Sequence, residues 1–376
     1  MRSLRSTELA GKTVLYRPDY NVPLEGAVIR DTYRISATYP TLEYLMEHGA
    51  RIVIVSHLGR PDGKVVPELS LRPIAEHLAS RYPQHTVRMA HELFHEETTA
   101  AIESMKDGDI LILPNIRFYP EEEENDQAFA RKVAALADLY VNDAFACSHR
   151  AHASVAAVAA ELPSYPGFLM EEELHRLGSL TANPEHPFVV VMGGAKVSDK
   201  IGVIEKLAPL ADVVLIGGAM ANTFRLAKGE DISASKAETD KVELAQKLLS
   251  TFGDKLVIAP DGVAKQNDDG TFSYLDIGER TVAAFTETIA SAAMVFWNGS
   301  LGYTEEAPYD AGSTAVLRAL AARSESGATT IVAGGDTVEL VTRLGLHDSL
   351  TFVSTGGGAA LEFLAGDVLP GVVGLQ

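Results

Sequence analysis

FVVVMGGAKVSDKIGVIEKL (188–207) runs without interruption from an apolar strand through a glycine turn into a helical pattern. Its strand shows no polar alternation, as expected of a parallel strand covered on both faces. The plan recurs in the second half as VVLIGGAM (213–220), TIVAGGDT (330–337) and FVSTGGG (352–358). In the first half it recurs as VLYRPDYN (14–21), RIVIVSHLGR (51–60), DILILPNIRF (109–118) and LYVNDAFACSHRAH (139–152), with basic and amide side chains in place of glycines. Helical patterns such as LRPIAEHLASRY (71–82) and DQAFARKVAALADLY (126–140) lie between the strands. This alternation predicts repeated βαβ units, hence an α/β protein built of doubly wound, parallel-sheet (Rossmann-like) domains.

Two domains are expected. PSYPG (163–167) and NPEHP (183–187) bracket a lone helical stretch, FLMEEELHRLGSL, which reads as a connector. The predicted division is 1–165, a hinge helix within 166–184, a second domain over 185–358, and an apolar C-terminal segment over 359–376 able to dock. Ser70 and Asn125 are the expected N-caps of the two helices quoted above. The acidic run EEEEN (121–125) reads as a solvated first turn favoured by the helix dipole.

Composition narrows the function classes. Of the 376 residues, 46% are hydrophobic, and 51 Asp and Glu give a net charge of −19. Nucleic-acid binding is not expected of such a chain, because phosphate backbones are gripped by dispersed Lys and Arg. The single cysteine, Cys147, excludes a disulfide framework or multi-thiolate metal site and reads as a packing thiol. MRSLRSTELAG at the N-terminus has no apolar core of a signal peptide, and no run is long enough to cross a membrane. A soluble, cytoplasmic protein is the expectation.

Ligands of doubly wound sheets bind beyond the carboxyl ends of the strands. In the first half this places Asp19, Asn21, His57, Arg60, Arg117, His149, Arg150 and His152 on one face, with Arg34 able to join them. Guanidinium forks there suit a small phosphorylated or carboxylated anion. In the second half, the glycine turns and helix N-termini suit a phosphate chain. Lys196 and Lys200, four residues apart, are expected on one face of a first helical turn, where only an anion between them makes two cations favourable. Asp336 in GGDT could hold Mg²⁺ bridging nucleotide phosphates, or cap its helix. WNG (297–299) closes another strand, and Glu305 could reach a ribose. Neither common nucleotide fingerprint is present, and no nucleophile–base pair stands out, which fits phosphoryl transfer by positioning and charge stabilisation.

At these residues the chain resembles phosphoglycerate kinase over essentially its whole length. The matching segments are RPDYNVP (17–23), SHLGRP (56–61), NIRF (115–118), SHRAHAS (148–154), GGAKVSDKI (193–201), LDIG (275–278), WNG, GGDT, VSTGGGA and LPGV (369–372). The resemblance implies reversible phosphoryl transfer between 1,3-bisphosphoglycerate with Mg-ADP and 3-phosphoglycerate with Mg-ATP, in a monomer. It implies a glycerate site of Asp19, Tyr20, Asn21, Arg34, His57, Leu58, Gly59, Arg60, Arg117 and Arg150, with His149 orienting the basic patch. It implies a nucleotide site of Gly194, Lys196, Lys200, Asn298, Glu305 and the Gly334, Gly335, Asp336, Thr337 turn, with Asp336 on the metal. Arg34, Lys196, Gly357 and Gly358 would stabilise the phosphoryl group in flight, hinge closure would exclude water, and the C-terminal segment would pack on the first domain.

The chain departs from the family pattern at Pro18, Pro114, Ala219, Ser300 and Ala333. It also departs in FACSHR, which lacks a glycine, and in YTEE (303–306), where Glu306 competes with Glu305. Most of these lie around the expected adenosine pocket. The alternatives are another two-domain transferase acting on a phosphorylated acid, and a hinged anion-binding protein, which would need neither Asp336 nor the lysines.

Overall fold

The structure, a computed structural model, describes residues 3–375. The chain divides into two compact units: the first runs to Leu174 and resumes at Val368, and the second covers His175–Asp367.

The strands in chain order are β1 (Thr13–Pro18), β2 (Leu24–Glu25), β3 (Val28–Ile29), β4 (Arg51–Ile54), β5 (Val87–Met89), β6 (Ile110–Ile112), β7 (Leu139–Asp143) and β8 (Ser164–Pro166) in the first unit. The second unit has β9 (Phe188–Met192), β10 (Val213–Ile216), β11 (Leu256–Ile258), β12 (Gly262–Gln266), β13 (Phe272–Ile277), β14 (Met294–Asn298), β15 (Thr329–Ala333) and β16 (Phe352–Val353). Each unit is built on a six-stranded parallel sheet, ordered β5-β6-β4-β1-β7-β8 in the first and β11-β10-β9-β14-β15-β16 in the second. The pairs β2–β3 and β12–β13 form antiparallel hairpins outside the sheets.

The apolar runs need no alternation because both faces are covered. Val14, Tyr16, Ile52, Ile54, Ile110, Ile112 and Val141 pack in one core on one side, while Leu15, Val53, Leu111 and Tyr140, one step out of phase, are buried on the other. Every residue of β9 and of β14 is buried. Chain order reverses between β1 and β7 in one sheet and between β9 and β14 in the other, opening a crevice at the carboxyl ends of those strands.

Several local expectations change. Asp126, not Asn125, caps the helix Gln127–Ala134, its carboxylate accepting from Phe129 N–H at 2.6 Å, and Asn125 takes a positive φ. Ser70 accepts from Arg72 N–H, but the cap position of Arg72–Arg81 is Leu71. The EEEEN run is not uniformly solvated, since Glu122 is fully buried. The connector forms the helix Phe168–Ala182, and the division between the units falls inside it. The helix Gly358–Ala365 stays with the second unit, so the returning segment begins at Val368. It is tied to the first unit by Gly371 N–H on Ser148 O at 2.9 Å and by Asn142 Nδ2 on Gly371 O at 3.0 Å.

Candidate active site

In the first unit the turn after β1 turns Asp19 inward. Its carboxylate accepts from Arg34 Nη1 and from Asn21 N–H, and His57 Nδ1 lies 3.6 Å away. Burial pushes the Asp19 pKa up, but the Arg34 and Arg17 guanidiniums and the Asn21 N–H outweigh it and hold the carboxylate below its ordinary value. The turn after β4 is fixed from two sides at Gly59: its N–H donates to Asn21 Oδ1 at 2.9 Å, and its carbonyl accepts from Arg117 Nη1 at 2.9 Å. Asn115, after β6, holds the same turn through Leu58 O at 2.7 Å. Arg150 Nε donates to His149 Nε2 at 3.1 Å, which aligns these neighbours after β7. Arg60 is exposed.

Burial lowers the His57 pKa well below its usual value against the pull of Asp19, and Arg17, Arg117 and Arg34 lower it further, so the ring is neutral. Burial, with Arg117, Arg150 and Arg17 nearby, brings His152 down to about 4. Asp19, His57 and Cys147 bring metal-competent atoms within 4.8 Å of one another. The guanidiniums of Arg34 and Arg17 beside this cluster oppose a cation there, and burial raises the thiol to about 11, leaving it inert. Two expected contacts are corrected: Tyr20 and Leu58 point into the hydrophobic core, so only their backbone can reach a ligand.

The first unit also contains a group that strand-end reasoning missed. Arg17, inside β1, is buried and hydrogen-bonded to Ser154 Oγ at 2.9 Å and Pro18 O at 2.6 Å. A charged residue within a buried run is the signal, because such residues are almost never buried unless paired.

In the second unit, β9 and β14 converge so closely that a Cβ on Gly193 would lie 2.2 Å from Ser300 O, and one on Gly299 2.4 Å from Gly193 O. These glycines serve backbone packing. Gly194 is likewise engaged, its N–H donating to Ser300 O at 2.7 Å, which removes it as a phosphate donor. The lysines do not share a helical face. The helix begins only at Ile201; Lys196 is exposed in the preceding turn, whereas Lys200 is buried, with Nζ donating to Asn298 Oδ1. Burial lowers the Lys200 pKa to about 8 against the pull of Asp199 and Asp336. The Asn298 Nδ2 is buried with no hydrogen-bond partner among the described residues, a donor that a phosphate oxygen would satisfy.

Gly334 (φ +97°) and Gly357 (φ +53°) open the helices Gly335–Leu344 and Gly358–Ala365 in conformations that side chains rarely adopt. Gly334 is the cap, so Asp336 is not; it stands exposed in the first turn. The Thr337 hydroxyl is buried and accepts from Gly299 N–H at 2.9 Å. Glu306 pairs with Lys265 at 3.0 Å, while Glu305 is exposed. A cleft lined by Gly218, Ala221, Tyr274, Asp276, Ile277 and Leu301 adjoins these turns. Burial raises the Asp276 carboxyl there to about 6.

Comparison with known proteins gives one answer. A family model described as phosphoglycerate kinase matches residues 4–367. The phosphoglycerate kinase of Desulforudis audaxviator is 47% identical over 100% of this chain and 99% of that protein. That of Moorella thermoacetica is 46% identical over 99% and 98%. Among solved structures, phosphoglycerate kinase from Coxiella burnetii has a TM-score of 0.85 at 34% identity, covering 100% of this chain and 98% of that one. The Pyrococcus horikoshii OT3 enzyme has a TM-score of 0.87 at 31% identity over the same shares. With the fold, the strand-end chemistry and these relatives in agreement over the whole length, the chain belongs to the phosphoglycerate kinase family.

Proposed function

We propose that the chain catalyses the glycolytic transfer of a phosphoryl group between 1,3-bisphosphoglycerate and Mg-ADP, reversibly giving 3-phosphoglycerate and Mg-ATP. The observation that carries this is the contrast between equivalent strand ends. One unit closes on arginines around Asp19 and His57, and the other on glycine turns with Lys200, Asn298 and Asp336.

Arg34, Arg60, Arg117 and Arg150 bind the glycerate anion, His149 orients Arg150, and Asp19 and Asn21 hold its polar backbone. Lys196, Lys200, the Asn298 Nδ2 and the Gly334–Gly335 turn bind the nucleotide phosphates. Glu305 takes the ribose, since Glu306 is held by Lys265. The exposed Asp336 fits Mg²⁺, which prefers few protein carboxylates alongside phosphate oxygens; when bound, the ion offsets charge on those oxygens. The accepting carboxylate, with a reference pKa of about 3.5, is already ionised and needs no general base. Arg34, Lys196 and the backbone at Gly357 and Gly358 stabilise charge on the transferring group. The helix Phe168–Ala182 serves as the hinge. We take the protein to act as a cytoplasmic monomer.

The test is to incubate the protein with 3-phosphoglycerate and Mg-ATP and follow the acyl phosphate with a coupled reductase. Turnover that is abolished by chelating the metal is expected; folded protein without turnover would overturn the reading. Lys196→Ala is expected to lower kcat by roughly 10²–10³ while leaving nucleotide affinity within a few-fold. Lost affinity with kcat intact would make Lys196 a binding residue only.

A further inference from the structure

Glu122 is fully buried although it lies in a run of glutamates, and both of its oxygens accept hydrogen bonds from Ser154, from N–H at 2.7 Å and from Oγ–H at 2.7 Å. Accepting at both oxygens is the pattern of an ionised carboxylate. Ser154 is also held by its carbonyl, which accepts from Tyr140 Oη–H at 2.7 Å. Its hydroxyl proton is committed to Glu122, so its lone pair faces Arg17 Nε at 2.9 Å. Arg17 has every guanidinium nitrogen occupied: Nε on Ser154, Nη1 on Pro18 O at 2.6 Å, and Nη2 at 3.4 Å from His57 Nδ1. A guanidinium cannot accept, so the contact from Arg17 requires His57 Nδ1 to present its lone pair, with the ring proton on Nε2; Cys147 Sγ, 3.9 Å from Nδ1, fits the same assignment as a thiol donor. Asp19 Oδ1, 3.6 Å from Nδ1, is too distant to compete as an acceptor and is held by Asn21 N–H at 3.2 Å.

We infer that Glu122 is a positioning residue for the glycerate site: through Ser154 and Arg17 it fixes His57 as the neutral Nε2–H tautomer, a donor to the bound anion. The reason for the chain's length is electrostatic. Arg17 is buried and needs a counter-charge, but a carboxylate in direct contact would neutralise the field that the anion must feel. The intervening hydroxyl supplies compensation at one remove. Burial pushes the Glu122 pKa up, Arg17 and Ser154 pull it down, and the group sits above its ordinary value, consistent with an unshared interior carboxylate.

The role in substrate binding rests on the activity proposed above; the tautomer does not, and the test separates them. In ¹⁵N-labelled full-length protein, His57 is assigned by its loss in His57→Gln, and its ring nitrogens are read by ¹⁵N–¹H correlation. A single Nε2–H tautomer is expected; an Nδ1–H tautomer in the unaltered protein overturns the inference without any variant. Glu122→Gln keeps shape but places an amide N–H₂ against a Ser154 donor. It is expected to mix the tautomers and raise KM for 3-phosphoglycerate about tenfold or more, with KM for ATP unchanged within about twofold. If that variant does not fold, Ser154→Ala, which retains the N–H bond to Glu122, should shift both readouts in the same direction. Unaltered His57 signals and KM in a folded variant overturn the inference. Absence of turnover in the unaltered protein, with the tautomer as expected, overturns only the proposed activity.

Discussion

Lys200 lies buried with its ammonium on the Asn298 amide, and burial brings its pKa down to about 8. Above that pH the empty site loses the charge, and a phosphate placed beside the amine restores it. Nucleotide binding at pH about 8.5 should therefore take up a proton, whereas near neutrality Lys200 is already charged and contributes none. Calorimetry in buffers of different ionisation enthalpy measures this directly, with Lys200→Met expected to abolish the uptake. The sign for stability follows from the same shift. Between pH about 8 and the unfolded value of about 10.4, the unfolded chain binds more protons, so the empty protein gains stability from this group as pH rises. The sequence marks Lys200 but not its burial, because the glycine turn suggests a helix start well before Ile201, where the helix begins. Glu122 escaped for the opposite reason. Neighbouring glutamates share one composition, and only tertiary packing singles out the one that turns inward.

Among the elements, the strands and their carboxyl ends were the legible part. Unbroken, β-branched apolar runs such as 188–192, ending in a glycine turn, fit a doubly covered parallel strand. The glycines after them were less legible, since a Gly pair looks the same whether it cradles an anion or lets two backbones meet. Substitution separates the roles. Gly193→Ala would drive a Cβ to 2.2 Å from Ser300 O and should destabilise the second unit by about 1–3 kcal/mol or more, read as a lower Tm. Gly335→Ala meets nothing within 4 Å and should leave Tm unchanged or slightly raised, while weakening ADP affinity where the phosphates approach the helix. Equal losses of Tm in the two variants would refute this division.

For the whole molecule, two halves with different strand-end chemistry were readable from sequence, whereas the boundaries were not. Apolar character showed that the C-terminal residues dock, but only the fold places the helix Gly358–Ala365 with one unit and the chain from Val368 with the other. Leu369 and Leu375 are buried in that returning segment. Each buried leucine contributes about 1.5–3 kcal/mol relative to exposure. Deleting the chain from Val368 should thus lower the stability of the first unit and raise KM for 3-phosphoglycerate, with ADP affinity retained; a loss confined to ADP binding would contradict it. Against a net charge of −19, a local arginine cluster opposes the overall field, and an anion placed there would feel that contrast.

The return of the chain at Val368 makes the second unit an insertion within the first. On the ribosome, the second unit has all of its residues once Asp367 emerges, while the unit begun earlier still lacks the piece that covers Ser148 and Asn142. The part started first is finished last. Nascent chains arrested after Asp367 should therefore retain ADP yet fail to hold 3-phosphoglycerate, so that kinase activity arises only when synthesis has passed both units.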